Sequence, residues 1–309
     1  MPNNRKMNRN QEIFNLIHSK LFSDATRKKS EVVIVFIAVI SFILHLSVIT
    51  LVDLGVLHLN DYSELLNNPI AAIYTPFSFI LIYEVYLLVY YLPKSTTIYI
   101  GKQYEIITLI VIRRVFKDLS KLEFTANWFT VKNDLQFTYD LGATIILFLL
   151  ILVFYRFSEK KEGGQEENRP LPVEILKFIR MKNFMAACLI PVFLVLAVYS
   201  LSHWVYENFF SITRMVDSIK DVNKIFFDEF FTVLILTDVL LLLISFLHTD
   251  KFSKVIRNSG FIISTILIKL SFGAEGLLNT VLIVVAVLFG VVILGIHNRY
   301  EKLSMPNQG

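Results

Sequence analysis

Apolar residues fall into eight runs separated by shorter polar stretches, at 31–52, 71–92, 98–116, 138–157, 184–205, 229–248, 259–272 and 277–297. A helix needs about 20 mostly apolar residues to cross the hydrocarbon core of a bilayer. Five runs meet this plainly, and the second does so while carrying Glu84. The third holds Lys102, Glu105, Arg113 and Arg114, and the seventh is short with Lys269 inside it. Either of these two can be a re-entrant or tilted segment shielded by its neighbours. The pattern predicts an all-α polytopic membrane bundle of about eight transmembrane helices.

Composition agrees and removes the alternatives. Of the 309 residues, 55% are hydrophobic and 18% charged, so an ordinary soluble domain and a disordered chain are both excluded. The single cysteine, Cys188, has no partner for a disulfide within the chain. It falls in the fifth run, where burial would make it an inert small hydrophobe. The apolar first run is too long for a cleaved signal and reads as an uncleaved anchor.

The net charge of +4 matters less than its placement. Arg5, Lys6, Arg9, Lys20, Arg27, Lys28 and Lys29 precede the first run, whereas the loop after it holds Asp53, Asp61 and Glu64 without a cation. The positive-inside rule therefore puts the N-terminus in the cytoplasm. The basic stretch 156–182, the loop with Lys251, Lys254 and Arg257, and the tail with His297, Arg299 and Lys302 fall on the same side if all eight runs span. Arg113, Arg114, Lys117 and Lys121 dissent, since they lie at the outer end of the third run. A misread span or a functional cation inside the bundle would each account for them.

The two halves of the chain echo one another. The stretch 12–20 (EIFNLIHSK) before the first run matches 174–182 (EILKFIRMK) before the fifth at Glu, Ile, Ile and Lys. Both carry an apolar stripe with basic residues opposite, as an interfacial helix does. In the second runs, 80–88 (ILIYEVYLL) lies over 234–242 (LILTDVLLL), with Glu84 over Asp238. In the third runs, 106–113 (IITLIVIR) lies over 262–269 (IISTILIK), with Arg113 over Lys269. Charges are costly within apolar helices, so their coincidence carries more than the apolar matches. Four runs per unit give both units one orientation, as two parallel four-helix repeats about an axis along the membrane normal. The reading divides the chain into a basic cytoplasmic segment with an interfacial helix (1–30), a first repeat (31–158), a linker with an amphipathic helix (159–183), a second repeat (184–298) and a cytoplasmic tail (299–309).

The unit resembles the phosphate-starvation-inducible protein PsiE and its relatives, small four-span inner-membrane proteins. The likeness lies in the order of features, best over about 11–160: an amphipathic segment, then His58-Leu59, Tyr83-Glu84, Ile112-Arg113 with Asp118 after it, and Asp140-Leu141 opening an apolar run that ends in basic residues. The second unit keeps Asp238 and Lys269 but lacks the His-Leu step, and two fused units depart from the single-unit family. The resemblance implies a stress-linked protein of a bacterial inner membrane and names no substrate.

On a helical wheel Lys102, Arg113 and Lys117 fall within about 60°, with Glu105 beside them, so the third helix should turn one polar seam to the bundle. By depth, Glu84 is expected to reach Lys102 more easily than Arg113, leaving Arg113 to snorkel or to find Asp53 or Asp118. One reading makes Glu84, Lys102, Glu105 and Arg113 structural ion pairs. Another makes Glu84, Asp238, Arg113 and Lys269 part of a polar path for an ion, a proton or a small anion. A voltage sensor fits less well, because 108–112 interrupts any regular series of cations. His58, Asp61 and Glu64 lie three apart and can hold a divalent cation, although a solvated acidic loop is the preferred reading. His45 suits an interhelical hydrogen bond. His203-Trp204, Trp128, Tyr99 and Tyr104 suit the aromatic belts, and 208–225 looks like an outer amphipathic segment.

No phosphate loop, zinc spacing or Ser–His–Asp grouping is present, so no enzyme and no cofactor is expected. The expected partners are the bilayer, anionic headgroups at the basic segments and a second copy of the chain, without nucleic acid. The leading expectation is passage of a small ion or solute between the repeats. Its rival is a non-transporting sensor or stress protein acting through partners on its basic segments.

Overall fold

The computed structural model describes residues 22–56, 69–119, 122, 132–159, 173–209, 222–246 and 252–304. Among them there are eight α-helices and no strand: α1 (Asp24–Asp53), α2 (Tyr74–Tyr91), α3 (Thr96–Leu119), α4 (Lys132–Glu159), α5 (Val173–Phe209), α6 (Val222–Phe246), α7 (Phe252–Gly273) and α8 (Leu277–Ser304). A 3₁₀ turn, Pro69–Ile73, leads into α2.

Six helices (α1, α4, α5, α6, α7 and α8) are long and apolar enough to cross a membrane. The apolar part of α2 is shorter, and the charges of α3 set it apart from the six although it has 24 residues. At 1.5 Å per residue α3 is still about 36 Å long, enough to span once its polar groups are satisfied within the protein.

The helices outrun the apolar runs because their ends are set by caps and turns. Helix α1 starts at Ser23, whose hydroxyl accepts from the Thr26 amide at 3.0 Å, so Arg27, Lys28 and Lys29 are already helical. Its other end is closed by Leu54 and by Gly55, at φ +69°. One expectation changes here. The segment 174–182 is not a separate interfacial helix, since it continues into the span as one helix of 37 residues carried through Pro191. His297 is buried near the end of α8, against the Ser253 carbonyl at 3.0 Å.

Consecutive helices pack against each other through both halves: α1 on α2, α2 on α3 and α3 on α4, then α5 on α6, α6 on α7 and α7 on α8. The halves meet where α4 lies on α8, α2 on α5, and α3 touches both α7 and α8. Helix α1 is peripheral and buries only Ala38 and Ile49. Val32, Phe36, Val195, Tyr199 and Leu278 are exposed apolar groups that a bilayer would cover. Cys188 is exposed too, contrary to the expected burial, because a lipid-facing position is as apolar as a core position.

Lipid tails are as apolar as leucine, so helices in a membrane hold together by close packing and polar bonds. The aromatic core shows the first: Tyr104 meets Phe154 edge-on at 5.2 Å, Phe193 meets Phe230 at 4.5 Å, and Phe231 stacks on Phe272 at 5.4 Å. Gly290 on α8 allows the closest approach, since a Cβ there would overlap the Tyr104 hydroxyl.

Candidate functional site

Buried polar side chains form one pair inside the first half and a seam between the halves. The pair is Glu84 with Arg113, an ion pair between α2 and α3 whose residues are 2% and 1% exposed. This corrects the expected Glu84–Lys102 contact. The reason is register. Lys102 Nζ lies 5.3 Å from the Tyr91 ring, and Phe77 stacks on Phe116 at 5.4 Å. Glu84 is midway between Tyr91 and Phe77, so it faces the middle of 102–116, near 109, within one turn of Arg113. The N-terminal turns of α3 project past the end of α2, which a tight hairpin would not allow. Lys102 instead pairs with Glu105 on its own helix at 2.7 Å, and Glu105 also accepts from the Tyr155 hydroxyl.

The seam follows the side of α3 that faces α7 and α8. At one end Asp238 of α6 accepts from Gln103 Nε2 at 3.4 Å, and Gln103 Oε1 accepts from the Thr265 hydroxyl at 2.8 Å. Next to it the Tyr104 hydroxyl bonds Ser264 Oγ at 2.8 Å, while Ser264 donates to the Ala286 carbonyl at 2.7 Å. Tyr99 lies beside Asp238 with its buried hydroxyl lacking a well-formed hydrogen bond. Tyr99 and Tyr104 are 3% and 0% exposed, so neither belongs to an aromatic belt.

At the far end Arg114 bonds Asn279, pairs with Asp140 at 3.0 Å and reaches Thr280 at 3.5 Å. Asp140 is fully buried and also accepts from Thr280 at 2.6 Å and Gln136 at 3.1 Å. Between the two polar ends the same helices present Ile107, Ile110 and Val111 of α3, Ile268 of α7, and Ile283 and Val287 of α8, all in one buried cluster. Arg113 and Arg114, the cations at the outer end of the third run, are thus neutralised inside the bundle.

Near Asp238 the seam opens into a cavity of about 410 Å³ including its mouth. Lys182 of α5, Tyr99 and Thr96 of α3, Asp238 and Ser245 of α6 and Asn258 of α7 line it, against apolar walls that include Leu92, Phe178, Leu241 and Phe261. Lys182 is 6% exposed and donates to the Lys94 carbonyl at 3.2 Å, in the turn that joins α2 to α3. Its charge acts on Asp238 across the cavity.

Of the residues singled out in the sequence, Glu84 and Arg113 come together, as do Lys102 and Glu105, while Asp238 joins the seam. Lys269 is half-buried, three residues short of Phe272 on α7, and is not among the groups acting on Asp238. The matched charges of the two halves therefore do not make matching pairs. His45 Nδ1 bonds Thr75 on α2. His58, Asp61 and Glu64 lie outside the described residues, as do Trp128, the stretch 12–20 and most of 208–225. Among the described residues no group of three His, Cys, Asp or Glu is placed to hold a metal. Sequence reading passed over Gln103, Ser264, Thr265 and the Arg114–Asp140 pair, and took Lys182 for a surface cation. The available signal was the polar content of the third and seventh runs, to which Gln103, Arg114, Ser264 and Thr265 contribute.

No protein-family model matches the chain, and no curated protein or solved structure matches it either.

Proposed function

We propose that the chain is a multi-pass inner-membrane protein that passes a small ion or solute along the seam between two related four-helix halves. One observation carries this reading: polar side chains contributed by both halves form two buried clusters on one side of α3, one opening to a cavity, with an apolar plug between them. Polar groups are costly in a membrane interior, and such groups on facing helices mark pathways. The plug makes this arrangement a closed state of the path.

The parallel repeat is supported by the same neighbour order in both halves and by the meeting of equivalent helices, α4 with α8 and α3 with α7. The contact of α2 with α5 departs from a strict two-fold arrangement. The orientation is supported by the helix ends. Arg27, Lys94, Lys182, Arg257 and Lys302 lie toward one end of the bundle and Asp53, Asp134 and Glu275 toward the other, which supports a cytoplasmic position for the basic end with the cavity. The order of Tyr83-Glu84, Ile112-Arg113 and Asp140-Leu141 supports a PsiE-like origin and a link to stress.

The test is flux into liposomes holding the purified protein, with protons, potassium, chloride, phosphate and small amino acids offered in turn. At least one should enter faster than into protein-free liposomes, and Gln103→Leu and Asp238→Asn should abolish the difference. Absence of flux for every one of them would sink the reading.

A further inference from the structure

The cavity beside Asp238 has a chemistry that narrows what it can hold. Two opposite charges line it, Lys182 and Asp238, each nine-tenths buried or more. They act on each other across the space, and no direct ion pair joins them: the ammonium is bonded to the Lys94 carbonyl and the carboxylate to Gln103. The Tyr99 hydroxyl, also buried, faces the same carboxylate without a well-formed hydrogen bond. Asn258, Ser245 and Thr96 add polar groups to the lining.

A bare cation drawn by Asp238 would meet Lys182, and a bare anion drawn by Lys182 would meet Asp238. A solute carrying both charges satisfies both walls, while the apolar lining of Phe178, Leu241 and Phe261 accepts a short hydrocarbon part. Small-molecule pockets are mostly apolar with a few placed polar groups. This lining has that make-up.

We propose that this cavity binds a small zwitterion with the chemistry of an α-amino acid, its carboxylate on Lys182 and its ammonium between Asp238 and Tyr99. The proposal deepens the transport reading and rests on it for its physiological use, since it names the solute class that would enter the seam.

Binding is measured by calorimetry on the full-length protein in lipid nanodiscs, with alanine as the probe and propionate and ethylamine as probes lacking one charge each. Alanine should bind saturably, and the single-charge probes at least tenfold more weakly. Lys182→Gln and Asp238→Asn should each weaken alanine binding at least tenfold. Leu242→Trp, which fills the cavity and keeps both charges, should abolish it, so the result does not hang on a charge variant that misfolds. No saturable alanine binding, or equal binding of propionate or ethylamine, would overturn the proposal. So would unchanged binding in folded Leu242→Trp. Alanine binding without flux of any solute offered to the liposomes would overturn transport alone, and flux of a monatomic ion without alanine binding would overturn the zwitterion site alone.

Discussion

Glu84 and Asp238 stand at corresponding places, seven residues before the end of α2 and eight before the end of α6. Both are carboxylates in the second helix of a half, and both are buried. Glu84 is closed off: Arg113 meets it directly, between Leu81, Val85 and Leu88 on its own helix and Ile110 on the next. Asp238 is open on one side to a cavity, with an amide, a phenol and a distant ammonium around it. The same charge at the same depth is a latch in one half and part of a site in the other. What separates them is the partner's reach, because an arginine one turn away can close on a carboxylate and a lysine fixed to a backbone carbonyl across a cavity cannot.

The contrast is tested hardest at the latch. Arg113→Leu leaves Glu84 buried without its partner, and breaking one side of a buried ion pair costs about 3–5 kcal/mol. Unfolding of the purified protein in mixed micelles should show a loss of that size. The double variant Glu84→Leu/Arg113→Leu should recover at least half of it, since an apolar pair removes the stranded charge. A single variant that unfolds like the wild type would place Glu84 and Asp238 in one class.

The next effects concern the seam. Gly290→Ala drives a methyl into the Tyr104 hydroxyl, and overpacking of this kind costs about 1–3 kcal/mol. Adding Tyr104→Phe should restore part of the loss by removing the clashing oxygen. Gln103→Leu removes the link from Thr265 to Asp238, and interhelical hydrogen bonds in membrane proteins contribute about 0.6 kcal/mol on average and up to about 1.7. Its loss in the same unfolding assay should fall in that range. A loss as large as that of Arg113→Leu would make the seam a latch as well.

The architecture was legible because a bilayer imposes a length and an apolar content on each span, and α4, α5, α6 and α8 meet both. Side-chain partners were less legible. Reaching Arg113 from Glu84 depends on how far α3 projects past the end of α2, a register that the 92–95 turn sets without a readable signal. The charges of α3 drew attention to Lys102, Glu105 and Arg113, whereas its uncharged Tyr99, Gln103 and Tyr104 face the other half. Lys182 looked like an interfacial cation because its neighbours Lys177 and Arg180 are indeed exposed. Its burial follows from the packing of α5 on α2, a contact between distant segments that periodicity does not encode.

The smallest effect on stability should come from the residue most important to the site. Asp238→Asn keeps an oxygen for Gln103 and places an amide where the cavity offers Ser245 and the Tyr99 hydroxyl, so no buried polar group is stranded. Lys182 retains its bond to the Lys94 carbonyl. Replacing one charge of a separated pair with a neutral isostere trades lost attraction against a smaller desolvation cost, and the balance should stay within about 1 kcal/mol. Glu84→Gln has no such relief, since it puts a neutral amide against the charged and buried Arg113. Unfolding midpoints for the two variants, measured side by side, should therefore separate by several degrees, with Asp238→Asn near the wild type. Equal losses would mean that the cavity does not shelter Asp238 from the cost that Glu84 bears.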